Sequence, residues 1–109
     1  MTYVFDIDDT ICTKEKNQDY DKSIPMKSRI LAINKLYDQG HHIIFNTARG
    51  MGRYGNVAFK ARSKFYDMTL KQLESWNVKF HELHLGKPSG DFYIDDKGIK
   101  DEDFFNTRD

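Results

Sequence analysis

The feature that most constrains this chain is the abrupt change of character within Tyr3-Val4-Phe5-Asp6-Ile7-Asp8-Asp9-Thr10. A short apolar run bounded by polar residues reads as a buried strand, and here it stops in three carboxylates. Side chains alternate along a strand, so Asp6 and Asp8 are expected on one side and Ile7 and Asp9 on the other. At the carboxyl end of a parallel strand such a pair lies where α/β folds bind ligands. Two like charges so close repel unless a cation sits between them or one holds a proton. A hard divalent cation with oxygen ligands meets that need. The competing reading is a solvated acidic turn after an edge strand.

The rest of the chain decides between them. Residues 11–24 form a polar stretch, long for a loop in a compact domain, and are expected to act as a small flap in place of a cap. Cys12 is taken as an incidental thiol. Pro25 is placed at the first turn of a helix whose apolar face is Ile30, Leu31, Ile33, Leu36 and Tyr37, with Gly40 as its stop. A second strand runs from His41 to Thr47. The basic, glycine-rich loop from Ala48 to Asn56 follows, in which Arg49 is expected to fork onto an anion. A helical region over 57–76 has Phe59, Phe65, Met68, Leu73 and Trp76 on its buried side, and Thr69 with Gln72 is read as a capping box that restarts it. The third strand is placed at Val78–Phe80 or along the alternation from Phe80 to Leu85. The Gly86-Lys87-Pro88 turn comes next. A fourth strand, Phe92-Tyr93-Ile94, again ends in carboxylates, Asp95 and Asp96, and Phe104 and Phe105 anchor a short last helix in the charged tail from Lys97 to Asp109.

This alternation predicts an α/β fold, a Rossmann-like three-layer parallel sheet with helices on both faces and no cap domain. All strands of such a sheet end on one edge, which would gather Asp6, Asp8, Thr47, Lys87, Asp95 and Asp96. At 109 residues the chain is expected to be a single domain over 1–109. Lysine plus arginine and aspartate plus glutamate are both 17, so no excess charge asks for nucleic acid or an anionic membrane. One cysteine excludes an internal disulfide and a cysteine-based zinc site. No apolar run approaches the ~20 residues of a membrane span, and carboxylates occupy the place of a leader's apolar core. The expected location is cytoplasmic.

Asp6-x-Asp8-x-Thr10 after an apolar run, a strand ending in Thr47, a lysine at 87 and Phe92-Tyr93-Ile94-Asp95-Asp96 resemble, in order, the four motifs of the haloacid dehalogenase (HAD) superfamily. The resemblance spans about residues 2–96. Small size, the Thr47-Ala48-Arg49 loop and the Gly86-Lys87-Pro88 turn are similar to capless phosphatases associated with capsule or surface-polysaccharide biosynthesis. The resemblance implies Mg2+ dependence and hydrolysis of a small phosphate monoester through an aspartyl-phosphate. Asp6 would be the nucleophile and Asp8 the acid and base. Thr47, Ala48, Arg49 and Lys87 would contact the phosphorylated substrate. Asp6, Asp8 (through its backbone carbonyl), Asp95 and Asp96 would surround the metal. The alternatives are a receiver-like signalling domain, which would retain a phosphoryl group rather than turn over, and a nucleotide phosphatase. Because a flap alone cannot enclose a small substrate, a homo-oligomer is expected, with the Arg49–Asn56 loop near a neighbouring subunit. Surplus aromatics (Tyr54, Phe65, Tyr66, Phe104 and Phe105) are counted toward that interface.

Overall fold

The computed structural model describes residues 1–106, so the last three residues of the charged tail lie outside the described residues. The order is β1 (Thr2–Phe5), α1 (Lys27–Asp38), β2 (His42–Thr47), α2 (Ala58–Ser75), β3 (Glu82–Leu85) and α3 (Asp101–Asn106). Two 3-10 turns, Lys16–Gln18 and Tyr20–Lys22, lie between β1 and α1. The strands form one parallel sheet in the order β1-β2-β3, with Phe5 opposite Phe45 and Phe45 opposite Leu83.

That register stacks one apolar face. Phe5, Ile43, Phe45, Leu83 and Leu85 are buried there, and Phe104 and Phe105 of α3 pack their rings on Phe5 at 5.5 and 6.1 Å. α1 adds Ile30, Ile33 and Leu36, and α2 adds Ala61, Phe65, Thr69 and Leu73. Each fully buried aliphatic or aromatic side chain contributes about 1.5–3 kcal/mol relative to exposure. The two crossovers advance in the same direction across the sheet. Right-handed crossovers of that kind set their helices on the same side. Of the two faces expected to be covered, the described helices therefore gather on the Phe5 face. The opposite face carries Val4, which is 60% exposed, with the half-exposed Glu82 and exposed His84.

Several local expectations shift. α1 starts at Lys27, past Pro25, because Pro25 is held outside the helix in an isolated bridge to Cys12. Gly40 (φ +94°) does end α1, where His41 N–H returns to the Leu36 carbonyl at 3.1 Å. Leu31 and Phe59 point to solvent, since each lies off the buried stripe of its helix. α2 runs without a restart at Thr69. β3 takes the second of the two placements considered. Phe65, Phe104 and Phe105 fit the core, while Tyr54 and Tyr66 pack partly buried against it, so the surplus-aromatic argument does not hold for these five.

The largest departure is the fourth strand. Phe92, Tyr93 and Ile94 are 84%, 53% and 95% exposed, and pair with no strand. The reason is chain length. Only residues 86–91 separate them from Leu85, whereas parallel pairing requires a crossover of about a dozen residues or more. Among the described residues, no helix is long and apolar enough to cross a membrane.

Candidate active site

Asp6 stands one residue past the end of β1, and the backbone then turns sharply. The Ile7 carbonyl accepts from Thr10 N–H (3.0 Å) and Ile11 N–H (2.9 Å), with Asp9 in the left-handed region at φ 61°. Asp6 and Asp8 thus sit on a tight turn rather than on a strand. Ile7, Ile11 and Cys12 are fully buried beneath it and fix the turn to the core. Asp9 is exposed.

The Asp6 Oδ1 accepts from Ile7 N–H at 2.8 Å, and Lys87 Nζ stands 3.4 Å from its Oδ2. Burial raises the Asp6 pKa above the ordinary carboxylate value, and Lys87 together with the Ile7 amide pulls it back. Lys87 is aimed from both ends. Its backbone N–H and that of Gly86 donate to the Thr47 carbonyl, both at 3.2 Å, and its ammonium lies 4.4 Å from the Tyr93 ring centroid. Thr47 is buried at the end of β2, and its hydroxyl oxygen accepts from Arg49 N–H at 3.2 Å. Ala48 opens the following turn, accepting from Met51 N–H at 2.9 Å. The end of β1, the end of β2 and the turn after β3 therefore meet at Asp6.

Arg49 does not reach for a substrate. Its side chain is fully buried, and its fork grips the protein's own carboxylate: Nε to Asp8 Oδ2 and Nη2 to Asp8 Oδ1, each 3.0 Å. Nη1 donates to Gln72 Oε1 (2.7 Å) and Thr69 Oγ1 (3.3 Å). The guanidinium carbon lies 4.7 Å from the Tyr20 ring centroid. This corrects two expectations. Arg49 is a buried clamp on Asp8, and Thr69 with Gln72 is the socket for its guanidinium instead of a capping box. Sequence offers a weak hint only: polar Thr69 and Gln72 stand three apart on a helix face otherwise apolar. Tyr20 was missed altogether. Its hydroxyl accepts from Gly50 N–H at 2.9 Å, and its carbonyl accepts from Gln72 Nε2 at 2.7 Å. Cys12 is buried at the same cluster, its thiol pushed up to about 12, chiefly by burial and then by the charge of Asp8. An incidental, unreactive thiol is what that environment produces.

Asp95 and Asp96 are exposed. Asp95 Oδ1 accepts from Lys97 N–H and Gly98 N–H, at 2.8 and 2.5 Å. Among the described residues, no group of three or more His, Cys, Asp or Glu is gathered closely enough to hold a metal ion. The charges at Asp6 and Asp8 are answered instead by Lys87 and Arg49.

The sequence profile of the haloacid dehalogenase-like hydrolases matches residues 3–70, more than half of the chain. No curated protein sequence matches this chain. A crystal structure of a structural-genomics target from Vibrio cholerae is similar at TM-score 0.87 and 25% identity, covering 95% of this chain and 86% of that one. The D,D-heptose 1,7-bisphosphate phosphatase of B. bronchiseptica, complexed with magnesium and phosphate, is similar at TM-score 0.55 and 13% identity. It covers 83% of this chain and 51% of its own, and shows the shared fold. With the family profile running through the Asp6–Asp8 turn and the Thr47–Arg49 loop, the chain belongs to the haloacid dehalogenase-like hydrolases.

Proposed function

We infer that this protein is a Mg2+-dependent phosphatase acting on a small phosphate monoester through an aspartyl-phosphate at Asp6. The observation that carries this reading is the meeting of Asp6, Lys87 and the Thr47 strand end, with Asp8 fixed one turn away. Family membership and the phosphatase neighbour support it.

Phosphate monoesters resist hydrolysis, so an enzyme must place a nucleophile in line and offset the negative charge spreading over the phosphoryl oxygens. An Asp6 carboxylate oxygen attacks phosphorus, and the ester P–O bond breaks. Lys87, already beside Asp6, and the Thr47 hydroxyl meet the equatorial oxygens. The departing alkoxide takes its proton from Asp8. In the second half, Asp8 accepts a proton from water as the water oxygen attacks phosphorus, releasing inorganic phosphate and regenerating Asp6. Each Asp8 oxygen spends one lone pair on Arg49 and retains another for that proton. Mg2+ would supply charge neutralisation beyond that of the two cations.

The substrate class that the capless resemblance suggests is a sugar, polyol or amino-alcohol phosphate, in surface-polysaccharide biosynthesis. A library of phosphate esters, assayed for released phosphate with Mg2+ or chelator, tests the whole reading. Turnover is expected with Mg2+ only, and Asp6→Asn is expected to lower it at least a thousand-fold while leaving the circular dichroism spectrum intact. Substantial hydrolysis by Asp6→Asn would exclude the covalent route.

A further inference from the structure

Phe92 and Ile94 stand almost fully in solvent, but Tyr93 between them turns its ring to the active site. The Lys87 ammonium lies 4.4 Å from the Tyr93 ring centroid and 3.4 Å from Asp6 Oδ2, so it is held from two sides. The lysine side chain is only 23% exposed there. A lysine has a flexible four-carbon stem and a strongly hydrated head, and without partners it turns to water. The negative face of an aromatic ring offers an attraction that offsets that tendency.

The ring is itself built into the turn. Its hydroxyl donates to the Pro88 carbonyl at 2.7 Å and accepts from Gly90 N–H at 3.0 Å. Ser89 N–H donates to Asn56 Oδ1 at 2.9 Å, and the N–H groups of Gly86 and Lys87 both donate to the Thr47 carbonyl. Residues 86–93 therefore form a closed loop, tied to the end of β2, to the residue two before α2, and to itself. The backbone of Lys87 is fixed by Thr47, and the tip of its side chain by a residue six positions further along. A strand beginning at Phe92 would carry that ring away, whereas the turn brings it beneath the ammonium.

We propose that Tyr93 is the positioning residue of Lys87, its ring face holding the ammonium beside Asp6 where it meets the phosphoryl oxygens. For its effect on turnover this rests on the phosphatase reading, which it deepens. Asp6 loses its free carboxylate charge when its oxygen bonds to phosphorus, and regains it when water releases phosphate. The ring face does not change during that cycle. Tyr93 is thus the constant partner that keeps Lys87 in place while the other partner reacts.

Two measurements decide it, and the first needs no activity. Protons lying over an aromatic face are shifted upfield by the ring current. In protein labelled with 13C at the lysine Cε, the signal lost in Lys87→Arg should lie upfield of the other lysines. It should stay there in Tyr93→Phe and join the exposed lysines in Tyr93→Leu, with the circular dichroism spectrum unchanged, because Tyr93 is half in solvent. An ordinary Lys87 signal in the wild-type protein overturns the proposal. The second measurement is turnover of a phosphate ester with Mg2+. Tyr93→Leu should lower kcat about ten-fold, and Tyr93→Phe should stay within about two-fold of wild type. Phenylalanine bearing one, two or three ring fluorines at position 93 keeps nearly the same shape while weakening the negative face. Turnover should fall stepwise along that series, to about a tenth with three fluorines. A ring that only supports the fold would be indifferent to fluorination. A flat series, or a loss already complete in Tyr93→Phe, overturns the proposal. An upfield Lys87 signal in a protein that hydrolyses no phosphate ester would support the contact and count against the phosphatase reading alone.

Discussion

Arg49 is the residue on which Asp8 depends. Its guanidinium is fully buried, saturated by Asp8, Gln72 and Thr69, and stacked on Tyr20. Removing one partner of a buried ion pair leaves the other charge desolvated without compensation, at a cost of about 3–5 kcal/mol. Arg49→Ala is therefore expected to lower the free energy of unfolding in urea by about that much, far beyond a surface arginine change. If Arg49 were a solvated substrate contact, unfolding would hardly move and only KM would rise. Asp8→Asn keeps the size and backbone of the acid but carries no proton. Its rate loss should be at least ten-fold larger for alkyl phosphates than for p-nitrophenyl phosphate, whose leaving group needs little protonation. Equal losses on the two substrates would give Asp8 a purely positional role.

The segment between β1 and α1 is not a free-moving flap. It folds into two 3-10 turns, and Tyr20 locks the second against α2 and the Arg49 loop: its ring meets Phe65 edge-on at 5.0 Å and its hydroxyl holds Gly50 N–H. Gly50 is required there for two reasons. Its φ of +79° suits glycine, and a Cβ would fall 2.6 Å from Phe65 Cδ2. Gly50→Ala should lose about 2–4 kcal/mol from strain and overpacking together, seen as a lower urea midpoint with an unchanged slope. It should also disturb the Arg49 fork one residue away. A stability equal to wild type would mean that the loop relaxes without cost and that Tyr20 does not hold it.

At the scale of the whole molecule, the covered Phe5 face and the exposed Val4 face follow from one topological fact. Both crossovers advance in the same direction, and the link after β3 is too short to carry a helix back. The homo-oligomer expected from the sequence would have a melting temperature that rises with protein concentration, because dissociation accompanies unfolding. Raising the concentration a hundred-fold is expected to raise Tm by several degrees, whereas a self-sufficient monomer would melt at one temperature throughout.

The sequence by itself determined what depends on local pattern. The apolar run ending in Asp6 and Asp8, the strand ending in Thr47, the position of Lys87 and the helix stop at Gly40 were all legible, because strand ends and caps are written in neighbouring residues. Those signals also carried the α/β class and the family. What only the tertiary structure decided is how distant charges pair and how far a link can reach. Arg49 looks the same in sequence whether it grips a substrate or Asp8, since the choice depends on Thr69 and Gln72 arriving from α2. Tyr20 gave no signal, because its hydroxyl acts only once the glycine loop folds over it. Phe92-Tyr93-Ile94 has the composition of a strand, but pairing is a property of two segments and of the chain between them. Residues 86–91 are too few for a parallel crossover, and that constraint becomes visible only when the strand order is known.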